Sequence, residues 1–281
     1  MEFKVDSLEK LRHSPVSIFS YDLVSGHRVL IGGESVFAGC AFHCDSSRIP
    51  PSEATRLLLN RCSGLLLARE LLLNNSLTGE ESDFVGRNLA KAQLALGDAL
   101  LAVQGKYHWD CLERARRLRE LETEAGWFLL REVLPHHTAG VQFKLHPFRE
   151  TSPVDQLRRK HRELIDLALQ EWLWIENRRL QLNFSNLRDY SLSCVDKCAG
   201  GSFWRNFLLN LKTFGALATF DRTSPRYPRE RLLNALPLLL SGGDAEIQPE
   251  TRRYLQSQLH TRAEDWPGLV AAYKQLWSCY G

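Results

Sequence analysis

From Ser52 onward the sequence carries apolar residues at three- and four-residue spacing, whereas residues 2–33 read as short β-branched and aromatic runs around a glycine turn. This change of period constrains the fold more than any other feature, because a 3.6-residue repeat selects helix and a two-residue repeat selects strand. In the first segment, Phe3 and Val5 form a short β-rich run that ends on a lone carboxylate, Asp6. A β-hairpin is predicted next, with residues 16–23 as one strand, a turn at Val24-Ser25-Gly26, and residues 27–31 as the second strand, closed by Gly32-Gly33. A hairpin plus one strand makes no independently stable sheet, so these strands need further partners or a helical body to lie on. The chain therefore reads as the back half of something larger.

Residues 34–51, with Gly39, Ser46, Ser47 and Pro50-Pro51, punctuate the change of period. Ser52 suits an N-cap and Glu53 the positive end of a helix dipole, opening a helix that reaches residue 73. After a polar break at 74–82, a helix is predicted over 83–104. Leu89, Ala92, Leu96, Leu100 and Val103 form its apolar face, with Lys91 and Asp98 opposite. Gly105 ends it, and a highly charged helix follows over 107–124. Residues 126–150, with Pro135, Gly140 and Pro147, read as short helices and loop. Thr151-Ser152-Pro153 with Asp155 combines a hydroxyl cap, an early proline and an acid at the positive dipole end, and so opens a long helix to residue 182. Residues 183–201 read as a polar turn, 203–220 as an apolar helix, and 229–240 as a short helix stopped by Ser241-Gly242-Gly243. Residues 249–280 read as two helices parted near Trp266-Pro267. The expected fold class is mainly α. A helical bundle over 46–281 binds substrate or partner, behind a strand remnant of an α/β domain over 1–45.

A chain of 281 residues with 44% hydrophobic content can bury a sizeable core. Its 36 basic and 33 acidic residues leave a net charge of +3, too weak to argue for nucleic acid. The leucine-rich stretch at 57–73 is broken by Asn60, Arg61, Arg69 and Glu70, so it lacks the run of roughly 20 apolar residues that a membrane span needs. No membrane partner is expected. The start Met-Glu-Phe-Lys-Val-Asp lacks the apolar core of a secretion signal. Seven cysteines, an odd number scattered through helices, point to reduced thiols and a bacterial-type cytoplasm.

Residues 2–6, Phe19-Ser20-Tyr21-Asp22-Leu23 and Arg28-Val29-Leu30-Ile31-Gly32 resemble the last strands of the nucleotidyltransferase (polymerase-beta-like) fold. The resemblance continues through Lys91-Ala-Gln-Leu-Ala-Leu-Gly97-Asp98, Gly105-Lys106-Tyr107 and Arg114, which look like the helix and turn behind the catalytic domain of bacterial nucleotidyltransferase-like proteins. Pro228-Arg229-Glu230-Arg231-Leu232-Leu233 and the ending Trp266, Tyr273, Leu276-Trp277 extend it over most of the chain, on loose motifs. In that fold a Gly-Ser turn places the nucleotide, and an Asp-x-Asp pair with a third carboxylate holds metal for phosphoryl transfer. The resemblance implies that Asp6 is the third, catalytic carboxylate. The residues alone fit a solvated aspartate at a strand end equally well. It also implies that Lys91, Asp98, Lys106, Tyr107 and Arg114 form a substrate-binding, phosphate-facing wall that converges with Asp6 on one concave surface. Helix spacing alone gives a solvated charged face instead.

No Gly-Ser is followed by an Asp-x-Asp pair; after Gly201-Ser202 the next acidic residue is Asp221. With one candidate carboxylate out of the set, the chain alone is expected to be inactive and to hold no metal or cofactor. Mg²⁺ and a nucleoside triphosphate would belong to a complete enzyme that transfers a nucleoside monophosphate to an acceptor. The implied partners are a nucleotide, its acceptor, or a separate catalytic subunit. The alternative is a stand-alone helical module that recognises a nucleotide, an RNA or a protein.

Cys40-x-x-His43-Cys44 and Cys194-x-x-x-Cys198 have zinc-type spacing but lie far apart in the chain, and free thiols fit them better. Arg131 and His136 resemble the arginine–histidine motif of a helical ribonuclease family, whose histidine and arginine act on a ribose hydroxyl and the phosphate. Pro135 is expected to end the helix before that histidine. Basic residues cluster at Arg114, Arg116, Arg117 and Arg119, and again at 158–162, as an RNA groove would require. Glu113, Glu120, Glu122 and Glu124 interleave with the first cluster, which marks a salt-bridged solvent face, and nucleic acid is not the expected partner.

Overall fold

The computed structural model describes residues 7–30, 36–125, 129–198, 202–215, 226–242 and 247–281. Among the described residues there are twelve α-helices and no strand. None of these helices is long and apolar enough to cross a membrane. The chain divides into two compact units, residues 1–58 with 90–149 and residues 59–89 with 150–281.

The first unit contains α1 (Leu8–His13), α2 (Ile18–Gly26), the start of α3 (Ser52–Leu72), the end of α4 (Gly79–Val103), α5 (Cys111–Ala125) and α6 (Leu130–Leu145). The predicted hairpin is not there: its first strand and turn form α2. Ser17 Oγ accepts from the Ser20 N–H at 3.0 Å and Ser20 Oγ from the Ser17 N–H at 2.8 Å, closing a capping box. Glu53 accepts the Ile18 N–H at 2.9 Å. Ser20, Tyr21 and Val24 share the buried face. A strand would put Tyr21 and Val24 on opposite sides, so the helix buries both where a hairpin buries one. Residues 27–30 carry no strand. The run at 2–6 with Asp6, and Gly32-Gly33, lie outside the described residues.

Leu89, Leu96 and Leu100 of α4 are buried, and Val103 is half-buried. Toward its C-terminal end α4 is covered nearly all round, because small residues let α5 and α6 come close. A Cβ placed on Gly97 would lie 2.4 Å from the His137 ring, and one on Gly140 would lie 2.5 Å from the Leu94 backbone nitrogen. Residues 130–145 form one helix that runs through Pro135, contrary to the expected break. Leu130, Val133, His137, Gly140 and Val141 bury one face of α6. Pro135 and Arg131 are exposed, so water can hydrate the Arg131 carbonyl that the missing proline N–H would have bonded.

The second unit holds the rest of α3 and α4 with α7 (Val154–Leu180), α8 (Leu187–Leu192), α9 (Phe203–Phe214), α10 (Arg229–Ser241), α11 (Pro249–Leu259) and α12 (Trp266–Tyr280). Residues 230–240 of α10 are buried without a break, and α10 packs on α7, α8, α11 and α12. Thr78 and Glu81 exchange hydrogen bonds at 3.2 and 2.8 Å to open α4. No hydroxyl caps α7: Pro153 occupies the cap position, and Glu150 accepts the Ser152 N–H at 2.8 Å. His161 of α7 donates Nε2–H to the Leu65 carbonyl of α3 at 2.8 Å, and the Ser63 and Tyr273 hydroxyls meet at 2.6 Å. Of the predicted apolar helix at 203–220, residues 203–214 form α9, whose apolar side faces outward, and residues 216–220 lie outside the described residues.

Candidate functional site

Three of the residues singled out by sequence, Asp98, Tyr107 and Arg114, come together in the first unit. Arg114 Nε lies 2.6 Å from Asp98 Oδ1, and both side chains are buried. The Nε–H is not aligned with that oxygen, so the contact is a close ion pair more than a directed hydrogen bond. Arg114 Nη1 donates to the Tyr107 hydroxyl at 3.2 Å and to the His108 carbonyl at 2.7 Å. Tyr107 donates to Asp22 Oδ2 at 3.2 Å, and His137 Nε2 sits 3.1 Å from Asp98 Oδ1. Asp22 and His137 are members of this cluster that helix spacing did not reveal; both face it from other helices.

Burial pushes the Asp22 carboxyl up to about 6, against the pull of Arg114 and the Tyr107 hydrogen bond. Its other oxygen, Oδ1, is buried and accepts no hydrogen bond among the described residues. Burial likewise raises the Tyr107 hydroxyl far above the usual phenol range, with Asp98 adding to it. The cluster spends its charges internally. It is neither the phosphate-facing wall nor the solvated face that the sequence suggested, because α5 and α6 close over the end of α4. Lys91 stays exposed on α4, and Lys106 is half-buried with its carbonyl accepting from Arg117 at 3.1 Å. Asp6 lies outside the described residues.

A second buried knot lies in the second unit. Lys197 Nζ donates to Asn234 Oδ1 at 2.6 Å and stands 4.6 Å from the Tyr190 ring centre. Burial pulls its ammonium down to about 8, opposed by Glu230 and Glu176. The side chain is sealed from solvent, so no ligand reaches it in this conformation.

The remaining motifs separate. Cys40 is buried and Cys44 exposed, Cys194 is exposed and Cys198 half-buried. Among the described residues no group of three or more His, Cys, Asp or Glu side chains is placed to hold a metal ion. Arg131 is exposed, while His136 bonds to Gln93 at 3.2 Å; a separation of five residues turns them about 140° apart on α6. Arg116 and Arg117 pair with Glu113 at 2.7 and 2.8 Å, as a salt-bridged face does.

The second basic cluster does meet a cavity. In the second unit, Arg158, His161, Arg162 and Asp166 of α7 join Arg69 of α3 around a space of about 520 Å³, floored by Leu72, Ile165 and Leu240. Arg158 is braced by Nε–H to the Leu72 carbonyl at 2.8 Å and by an ion pair to Asp155 at 3.0 Å. Arg69 donates to the Leu240 carbonyl at 2.9 Å, and its guanidinium lies 5.3 Å from the Trp266 ring centre. Arg162 is exposed and makes no hydrogen bond or ion pair among the described residues. Three guanidiniums thus line one cavity with one carboxylate, Asp166. The spacing of Arg158, Arg162 and Asp166 puts them on one helix face and was legible in the sequence; Arg69 was not, because only folding brings α3 beside α7. The chain matches no protein-family model, no curated protein and no solved structure at a significant level.

Proposed function

We propose that this chain is a helical binding module whose arginine-lined cavity takes a phosphate-bearing ligand of nucleotide size. The observation that carries the reading is the excess of guanidinium over carboxylate around that one space. Arginine presents a planar fork that matches phosphate oxygens, and a fork already braced loses less entropy on binding. The volume lies within the range of small-ligand sites, roughly 300–1,000 Å³, and the apolar floor suits a ring. The sequence resemblance to nucleotidyltransferase-like proteins supports the same ligand class. Nucleotidyl transfer itself is proposed only for a protein with a Gly-Ser and Asp-x-Asp segment, which this sequence lacks.

Isothermal titration of the full chain with inorganic pyrophosphate and with adenosine mono- and triphosphate tests the proposal. Binding is expected to weaken with added salt. Arg162→Gln should weaken it roughly 10- to 100-fold, the loss of one charge-assisted contact. Arg162 is exposed, so the variant should keep its fold. Absence of binding by the wild-type chain, or equal affinity in the variant, overturns the reading.

A further inference from the structure

Helix α9 is inside out. Asn206 and Asn210 are its buried residues, whereas Phe203, Trp204 and Leu208 are 54%, 70% and 60% exposed. The buried edge is held by a polar bond, Asn210 Nδ2 donating to the Arg226 carbonyl at 2.8 Å, and beside it the exposed Thr213 hydroxyl meets that of Tyr280. At 100° per residue, Phe203, Phe207, Leu211, Trp204 and Leu208 fill an arc of about 140°, and Lys212 and Arg205 follow directly at its edge. The aromatic end of the arc is pre-packed, with Trp204 edge-on to Phe203 at 5.3 Å and to Phe207 at 6.3 Å. Residues 197–220 contain no Asp or Glu. Neither Arg205 nor Lys212 has an ion-pair partner among the described residues.

We propose that α9 is an interfacial helix that docks on a bilayer surface bearing anionic lipid. It lies flat, with the apolar arc at the acyl boundary and Arg205 and Lys212 among the headgroups. Its twelve residues are too few to span a bilayer; an apolar arc with a cationic edge is the pattern of helices that lie in the interface plane. Tryptophan and phenylalanine suit that depth, and the cation stems can snorkel to phosphate. A second copy of this chain fits less well, because pairing the two arcs antiparallel brings the Arg205 and Lys212 edges together with no carboxylate on either helix to offset them. The expectation of no membrane partner rests on the lack of a spanning segment, and a surface helix needs none. The inference stands apart from the arginine-lined cavity.

Flotation of the full chain with vesicles of phosphatidylcholine alone, or with roughly one-third phosphatidylglycerol, tests it. The wild-type chain should partition roughly tenfold or more in favour of the anionic vesicles, less so at high salt. Trp204→Glu with Leu208→Glu should abolish binding, and Arg205→Glu with Lys212→Glu should remove the preference for anionic lipid. All four positions are exposed, so circular dichroism should match the wild type. Arg162→Gln should float as the wild type does, which separates failure here from failure of the ligand reading. A wild-type chain that ignores both vesicles overturns the proposal. So does light scattering that shows a dimer lost in the Trp204 and Leu208 variant, which would make α9 a contact between copies.

Discussion

Asp22 carries a titration that reaches into folding. Its carboxyl is raised to about 6 by burial, lowered by Arg114 and by the Tyr107 hydrogen bond, raised by Asp98 and lowered by Lys144. The native state therefore holds a proton more tightly than the unfolded chain, whose carboxyl keeps its ordinary value of 3.8. By linkage, this residue's contribution favours folding at low pH, falls as pH rises from about 4 to about 6, and is level above that. Asp22→Asn supplies the neutral form permanently. It should stabilise the protein by ~1–2 kcal/mol at about pH 7.5, after discounting a two-unit shift for partial exposure, and leave stability at about pH 4 little changed. Urea melts at the two pH values measure this; an Asn variant that is weaker at both would mean the cluster needs the Asp22 charge.

Where two helices touch backbone to backbone, one methyl group is enough to disturb them. Gly140 of α6 faces Leu94 of α4 so closely that an added Cβ meets the Leu94 nitrogen and Cα at 2.5 and 2.7 Å. Backbone cannot rotate aside as a long side chain can, so Gly140→Ala should cost ~1–3 kcal/mol even though alanine is the better helix former by ~1 kcal/mol. Gly79, at the start of α4, is the control: a Cβ there meets nothing within 4 Å, so Gly79→Ala should be neutral or stabilising. Equal thermal shifts for the two variants would refute the close approach. The sequence of α2 carries two opposed signals. Val16, Phe19, Tyr21 and Val24 favour strand by residue type, while the decisive signal was the pair Ser17 and Ser20, a capping box whose partners are both serine.

Helices α3 and α4 supply residues to both compact units, so cutting the sequence between apparent domains removes core from either. Residues 150–281 expressed alone lack Leu65, whose carbonyl accepts from His161, and Ser63, which bonds Tyr273. That fragment should show no cooperative melt by circular dichroism; a cooperative transition would mean that α7 to α12 need no part of α3. By itself the sequence determined that the chain is helical from Ser52 on, with Ser52–Leu72 and Trp266–Tyr280 bounded within a residue or two of their observed ends and the start of Pro249–Leu259 placed at its proline. Caps, prolines and apolar period act over one or two turns, and one sequence carries them in full. Only the tertiary structure decided that Asp98 and Arg114 are buried against each other, that Arg69 joins Arg158 and Arg162 at one cavity, and that α9 turns its rings outward. Those outcomes depend on which helix lies against a given face, and an apolar period marks a face without naming what covers it.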